Sequence, residues 1–164
     1  MSWRVALLAI FAVARPAAGQ QVDLHVSYLP GDLDTHYPIV GGGLGVRKFI
    51  DLSNVYLGVR GGINYAREEH LGPGRGSLGL DFTLAPHHEF TVALPYIGAG
   101  VSINVSGGRQ GQFSGFRTGV DAIAGVDLNV FHSDRLGLKL EQRYGRIQGM
   151  TASPTTRAGF VLGL

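Results

Sequence analysis

Val55-Tyr-Leu-Gly-Val-Arg-Gly-Gly-Ile-Asn-Tyr65 sets Val55, Leu57, Val59, Ile63 and Tyr65 in one phase and Tyr56, Arg60 and Asn64 in the other. A period of two places these sets on opposite faces of a strand, one apolar and one polar. The pattern recurs on both sides of this stretch. Upstream, Val22 to Leu29 opposes Val22, Leu24, Val26 and Tyr28 to Asp23, His25 and Ser27, and Ile39 to Lys48 opposes Val40, Leu44 and Val46 to Gly41, Gly43, Gly45 and Arg47. Downstream, Leu78, Leu80, Phe82 and Leu84 oppose Asp81 and Thr83. A fifth stretch is marked by Phe90, Val92, Leu94 and Tyr96 and runs on to Val101. The sixth sets Val120, Ala122, Ala124, Val126 and Leu128 against Asp121, Ile123 and Asp127. The seventh sets Leu136, Leu138, Leu140 and Tyr144 against Lys139, Glu141 and Arg143, and the eighth sets Ala158, Phe160, Leu162 and Leu164 against Arg157, Gly159, Val161 and Gly163.

Eight such stretches predict an all-β, eight-stranded antiparallel up-and-down transmembrane β-barrel, because only a closed barrel lets strands satisfy their backbone groups without an edge. An even strand count puts both termini on one side. The longer connections, Pro30 to Tyr37, Ala66 to Gly76, Asn104 to Phe116 and Gly145 to Thr155, are then the outside loops. Ile50 to Asn54, Ala85 to Glu89 and Asn129 to Arg135 are the shorter periplasmic turns. Tyr28, Tyr65 and Tyr144 at the upper strand ends, with Phe49, Phe90 and Phe131 near the lower ends, are expected to form the two aromatic belts of a membrane barrel. Pro95 cannot donate to a ladder and is expected to mark a bulge.

Composition restricts the chemistry further. Residues 1 to 19 carry Arg4, the apolar run Val5 to Val13, and Ala17-Ala18-Gly19, the pattern of a secretory signal whose apolar run is too short to span a bilayer. Cleavage after Gly19 leaves residues 20 to 164 as the barrel domain. Loss of Arg4 and Arg15 reduces the 14 basic residues to 12, against 12 acidic ones, so the mature chain is formally neutral and no nucleic-acid partner is indicated. There is no cysteine, which excludes disulfides and thiolate metal sites.

Pro95-Tyr-Ile-Gly-Ala-Gly-Val101, Ala124-Gly-Val-Asp-Leu128 and Ala158-Gly-Phe-Val-Leu-Gly-Leu164, together with the strand pattern and loop asymmetry, resemble the small eight-stranded outer-membrane β-barrel family of OmpX-like and OmpA-like domains. That resemblance covers the whole mature chain. It implies a Gram-negative-type outer membrane of porin-family type, cell-surface exposure, and delivery by a barrel-assembly machinery. The family usually ends in an aromatic residue, whereas this chain ends in Leu164, and its only tryptophan, Trp3, falls in the signal.

The charges in the inward phase are the most specific chemical feature. Asp23, Asp81, Asp121, Asp127 and Glu141 face Arg47, Arg60, Lys139, Arg143 and Arg157, five of each sign. A lumen only wide enough for side chains requires them to pair, since an unpaired buried charge costs several kcal/mol. A salt-bridged plug is the expectation, in preference to an ion path. His25 is expected to hydrogen-bond within that plug.

No catalytic, cofactor or metal site is expected. His132-Ser133-Asp134 holds the residue types of a hydrolase triad, but adjacent residues on a turn do not reach the nucleophile, base and orienter geometry. His87-His88 beside Glu89 has no third ligand at suitable spacing. Gly41-Gly-Gly-Leu-Gly45 lacks the Lys-Ser/Thr ending of a phosphate loop and is read as strand glycine. Asn104-Val105-Ser106 is a glycosylation sequon, which carries little meaning in a bacterial outer membrane. The function expected is structural, or surface interaction through the outside loops, by a monomer. Arg109, Arg117 and Arg146 would give the rim a basic character toward lipopolysaccharide phosphates. The alternatives are an outer-membrane lipid-modifying enzyme resembling lipid A deacylases or palmitoyltransferases, and a secreted lipocalin-like binder. The mature chain lacks the lipocalin tryptophan and final helix.

Overall fold

The computed structural model describes residues 20–29, 39–68, 74–86, 92–106, 115–133, 136–150 and 152–163. They form eight strands: β1 (Gln20–Leu29), β2 (Ile39–Asp51), β3 (Val55–Glu68), β4 (Arg75–Pro86), β5 (Ala93–Ser106), β6 (Gly115–Ser133), β7 (Leu136–Ile147) and β8 (Ser153–Gly163). Each pairs antiparallel with the next in sequence, and β8 returns to β1 from Gln21↔Gly163 to Tyr28↔Thr156, closing the barrel.

The register fixes the barrel's geometry. A row of paired residues begun at Leu136 passes through Leu162, Val22, Val46, Gly61, Leu80, Val101 and Val120 and returns to β7 at Arg146, ten residues further along. Ten residues over eight strands mean that a row climbs by a little over one residue per strand, which corresponds to a tilt of roughly 40°. Allowing for that climb, Tyr28, Tyr65 and Tyr144 come to one level. Their rings are turned outward, at 49%, 57% and 60% exposure. A single upper tyrosine belt results.

Polarity is inverted relative to a protein whose core is apolar. Leu24, Val26, Leu78, Ile97, Val120 and Phe160 point outward and are exposed, whereas Asp23, Arg47, Arg60, Lys139, Glu141 and Arg143 are buried. Every strand but β5 carries the alternation in the phase that the sequence predicts, and a two-residue period leaves no other way to separate these sets. Several of the inward side chains lie beside an inward glycine of a neighbouring strand. Asp23 is paired with Gly45, and Glu141 and Tyr96 both with Gly125. A Cβ at Gly45 would press on the Asp23 carboxylate, and one at Gly125 would strike the Tyr96 ring. The strand glycines are the small half of a large-and-small pairing that fills a narrow lumen.

Four expectations need correction. The strands overrun the segments read as loops: β5 continues through Ser106, and β6 starts at Gly115 and continues through Ser133, with a register shift between Leu128 and Ser133. The bulge therefore lies there rather than at Pro95, which pairs in register with Val126 and sits beyond the end of the β4 ladder at Leu84↔Ile97. The phase of β5 is the opposite of the one read from Leu94 and Tyr96: Tyr96 is buried in the lumen, while Ile97, Ala99 and Val101 face out. Phe49 also points inward, not to an outer belt, and meets Tyr56 edge to face at 5.9 Å. The reason is the same in both cases, because the lower mouth of the lumen is closed by apolar rings and both phases there are apolar. Residues 1–19, 30–38 and Phe90 lie outside the described residues, as does the side chain of Phe131.

Candidate functional site

The lumen is built by alternate residues of all eight strands, and its middle is a continuous ion-pair network. Arg60, on β3, donates from Nε and Nη2 to Asp81 Oδ2 at 2.8 and 2.6 Å, and from Nη2 to Glu141 Oε1 at 3.0 Å. Its Nη1 lies 2.9 Å from Glu141 Oε2 and 3.5 Å from Asp23 Oδ2. Arg143, on β7, donates to Glu141 Oε1 at 2.8 Å and Asp121 Oδ2 at 3.0 Å, and also pairs with Asp81. Arg157 on β8 approaches Glu141 at 3.6 Å, and Lys139 Nζ lies 3.1 Å from Asp23 Oδ1. Glu141 is the hub: three arginines surround it, and the Tyr96 hydroxyl donates to its Oε2 at 3.0 Å.

Below the hub the chemistry changes. Arg47, on β2, pairs with Asp127 and donates to Gln21 Oε1 at 2.6 and 3.2 Å. Its guanidinium lies 4.5 Å from the centre of the Phe49 ring and 5.2 Å from that of Tyr96. Cation–π contacts of this kind are stronger when desolvated. Tyr96, Ala85 and Ile123 form the buried apolar cluster, with Tyr56 and Leu94 packed against it. Tyr96 thus joins the rings below to the carboxylate above.

Above the network the lining is short and neutral. His25 Nδ1 lies 2.8 Å from Asp23 Oδ1, and its Nε2 lies 2.7 Å from Asn64 Oδ1. Asn64 donates to Ser77 Oγ at 3.4 Å, and Asn104 donates to Ser102 Oγ at 3.0 Å. Asp23 and His25 are two members of an acid–imidazole–hydroxyl set, but the nitrogen that would serve a nucleophile is occupied by an amide. The arrangement orients a ring without activating a hydroxyl.

The fold places the ten charged residues expected in the lumen there: eight join the network around Glu141, and Arg47 and Asp127 form a separate pair below it. Sequence reasoning missed Phe49, Tyr96 and Gln21, and placed Tyr56 in the inward phase without a role. For Tyr96 the available signal was Gly125, the vacant inward position directly across on β6. Of the rim arginines, Arg117 and Arg146 stand on β6 and β7 rather than on loops. Arg117 Nη1 donates to the Gln148 carbonyl at 2.9 Å. Arg109, His87, His88, Glu89 and Asp134 lie outside the described residues, as do the side chains of His132 and Ser133. Among the described residues, no three His, Asp or Glu side chains are placed to hold a metal ion.

No protein-family model matches the sequence, and no curated protein does. Solved structures do. Neisserial surface protein A superposes with a TM-score of 0.61 at 15% identity, over 88% of this chain and 96% of that one. The N-terminal β-barrel domain of Pseudomonas aeruginosa OprF gives 0.57 at 14% identity, over 89% and 98%. The outer membrane enzyme PagL gives 0.57 at 14% identity, over 87% and 99%. The chain has the fold of the small eight-stranded outer-membrane β-barrels.

Proposed function

We propose that the protein is a non-catalytic outer-membrane β-barrel whose lumen is a salt-bridged plug, and that it acts structurally or by surface interaction at its loop end. The observation that supports this most is the set of five acidic and five basic lumen groups, eight of them linked around Glu141 and two paired below it. A conducting pore needs mobile water along its axis, and here the axis is occupied by charged groups that neutralise one another above a ring-packed floor. The exposed apolar wall calls for hydrocarbon around it, and the likeness to outer-membrane barrels supports that membrane. On this reading residues 1–19 are a cleaved export signal, both termini face the periplasm, and the barrel is a monomer inserted by the assembly machinery. Lipopolysaccharide meets its basic upper rim. The fold likeness to PagL leaves chemistry open, and the only acid–imidazole pair among the described residues is the one closed by Asn64.

Two measurements test this. The folded protein should fractionate with the outer membrane and migrate differently on a gel before and after boiling, and recovery as a soluble periplasmic protein would overturn the proposal. In planar bilayers the purified barrel should show no large steady conductance. A stable porin-sized current would refute the plug. Lipid A acylation that changed with the protein and reverted in His132→Ala would instead establish an enzyme.

A further inference from the structure

Between the tyrosine level and Lys48, every described outward-facing position is apolar or glycine except Gln142 on β7 and Thr156 on β8. These two are direct cross-strand partners, and both are exposed on the wall. Thr156 Oγ1 donates to Gln142 Oε1 at 2.8 Å, which satisfies the hydroxyl and the carbonyl oxygen. The Gln142 amide nitrogen has no hydrogen-bond acceptor among the described residues. An amide N–H facing hydrocarbon without an acceptor costs on the order of a few kcal/mol, so this position calls for an acceptor from the lipid.

The surroundings define that acceptor. Two residues below Thr156 on the same face, Ala158 opens a shallow apolar hollow of about 830 Å³ that passes Val26 to Gly42, with Phe160, Leu24 and Ile63 along its edge. Ala158, Val26 and Gly42 form one row, and Gly42 and Ala158 are its small members. Above Gln142 on the same outward face stand Tyr144, at the belt, and then Arg146, exposed. Four residues of strand put Arg146 roughly 13 Å above Gln142 before tilt is allowed for. A glycerophospholipid carries its ester carbonyls close under its phosphate. A lipid with branched acyloxyacyl chains carries a second, deeper ester layer.

We infer that the β7–β8 wall is a binding site for one branched acyl chain of a phosphorylated glycolipid: the deep ester carbonyl accepts from Gln142 Nε2, the chain lies along the Ala158–Val26–Gly42 hollow, and the phosphate meets Arg146. This rests on the outer-leaflet orientation proposed above, and it gives lipopolysaccharide contact a defined place on the wall.

The test places the purified barrel in phosphatidylcholine nanodiscs doped with hexa-acylated lipid A or with its tetra-acylated precursor, which lacks acyloxyacyl chains. Lipids retained through mild extraction are then read by native mass spectrometry. The wild type should retain the hexa-acylated form about fivefold better, a factor equal to roughly one hydrogen bond. Gln142→Leu, which places an apolar side chain in hydrocarbon and preserves folding, should abolish that preference. Arg146→Gln should weaken retention of both forms alike. Preference unchanged in Gln142→Leu, or absent from the wild type, overturns the site. A loss of phosphatidylcholine retention in Gln142→Leu equal to that of lipid A would reassign Gln142 to a shallow glycerol ester and overturn the branched-chain assignment. Because the nanodisc supplies the membrane, failure of the cellular location would appear in fractionation and leave this measurement intact.

Discussion

The two ends of the lumen are made by the same eight strands and differ in how their space is filled. At the lower end Phe49 and Tyr96 flank the Arg47 guanidinium, Tyr56 and Leu94 pack against the Tyr96 cluster, and a Cβ at Gly125 would strike the Tyr96 ring. At the upper end Asn64, Ser77, Ser102 and Asn104 are short and neutral, and a Cβ at Gly79 would come no closer than 3.6 Å to any atom. The charge network lies between them, tied to the lower rings through Tyr96 and to the upper amides through His25. Tight packing closes the lower mouth, whereas at the upper end the room is local: Gly79 has it, but a Cβ at Gly41, Gly43 or Gly119 would crowd its neighbours. A side chain that Gly125 rejects should therefore be accepted at Gly79.

The largest expected effect is at the hub. Glu141→Ala leaves Arg60, Arg143 and Arg157 without their common carboxylate and the Tyr96 hydroxyl without its acceptor, at a cost of about 3–5 kcal/mol. Equilibrium urea unfolding in lipid vesicles, followed by the folded-form gel shift, measures it. A loss below about 1 kcal/mol would mean that the network rearranges freely. On the outer side of the same region, Leu138→Arg should cost about 2–4 kcal/mol by exposing charge to hydrocarbon near the midplane. A neutral result in the same assay would reverse the inside and outside assignment.

Paired glycine substitutions sharpen the contrast between the ends. Gly125→Ala must displace the Tyr96 ring and should cost about 1–3 kcal/mol, while Gly79→Ala should fall within about 0.5 kcal/mol of wild type. Equal costs would remove the distinction between the packed site at Gly125 and the open one at Gly79. Asn64→Ala removes hydrogen bonds to His25 and Ser77 above the network and should cost about 1 kcal/mol. A loss matching that of Glu141→Ala would make the upper amides part of the plug.

The same contrast explains what could be read without a structure. Across the network and toward the upper end, inward positions are charged or polar and outward ones apolar, so the period of two separates Asp23 from Leu24 and Lys139 from Leu140 unambiguously. At the lower mouth the inward positions are apolar as well. There Leu94, Tyr96 and Phe49 follow no contrast, and their phase is set by neighbours on other strands, which a single strand's pattern does not contain. The loop boundaries failed for a related reason. Ladder hydrogen bonds carry β5, β6 and β7 past the apolar belt, where side chains no longer need to alternate in polarity. Which charges share the lumen was legible, since parity alone decides it. That Glu141 is the hub was not, because register and shear decide which side chains meet.

The seam between β1 and β8 imposes an order of events on the making of this molecule. Its rungs, from Gln21↔Gly163 to Tyr28↔Thr156, join residues separated by nearly the whole chain, whereas every other ladder joins consecutive strands. Contacts of such separation carry the greatest loop-closure entropy and are intrinsically slow to form. Until they form, one flank of β1 and one of β8 carry unpaired N–H and C=O groups that hydrocarbon does not accept. Closure and insertion are therefore one concerted event, and a stalled chain presents two complementary open edges, each a template for a strand from another molecule.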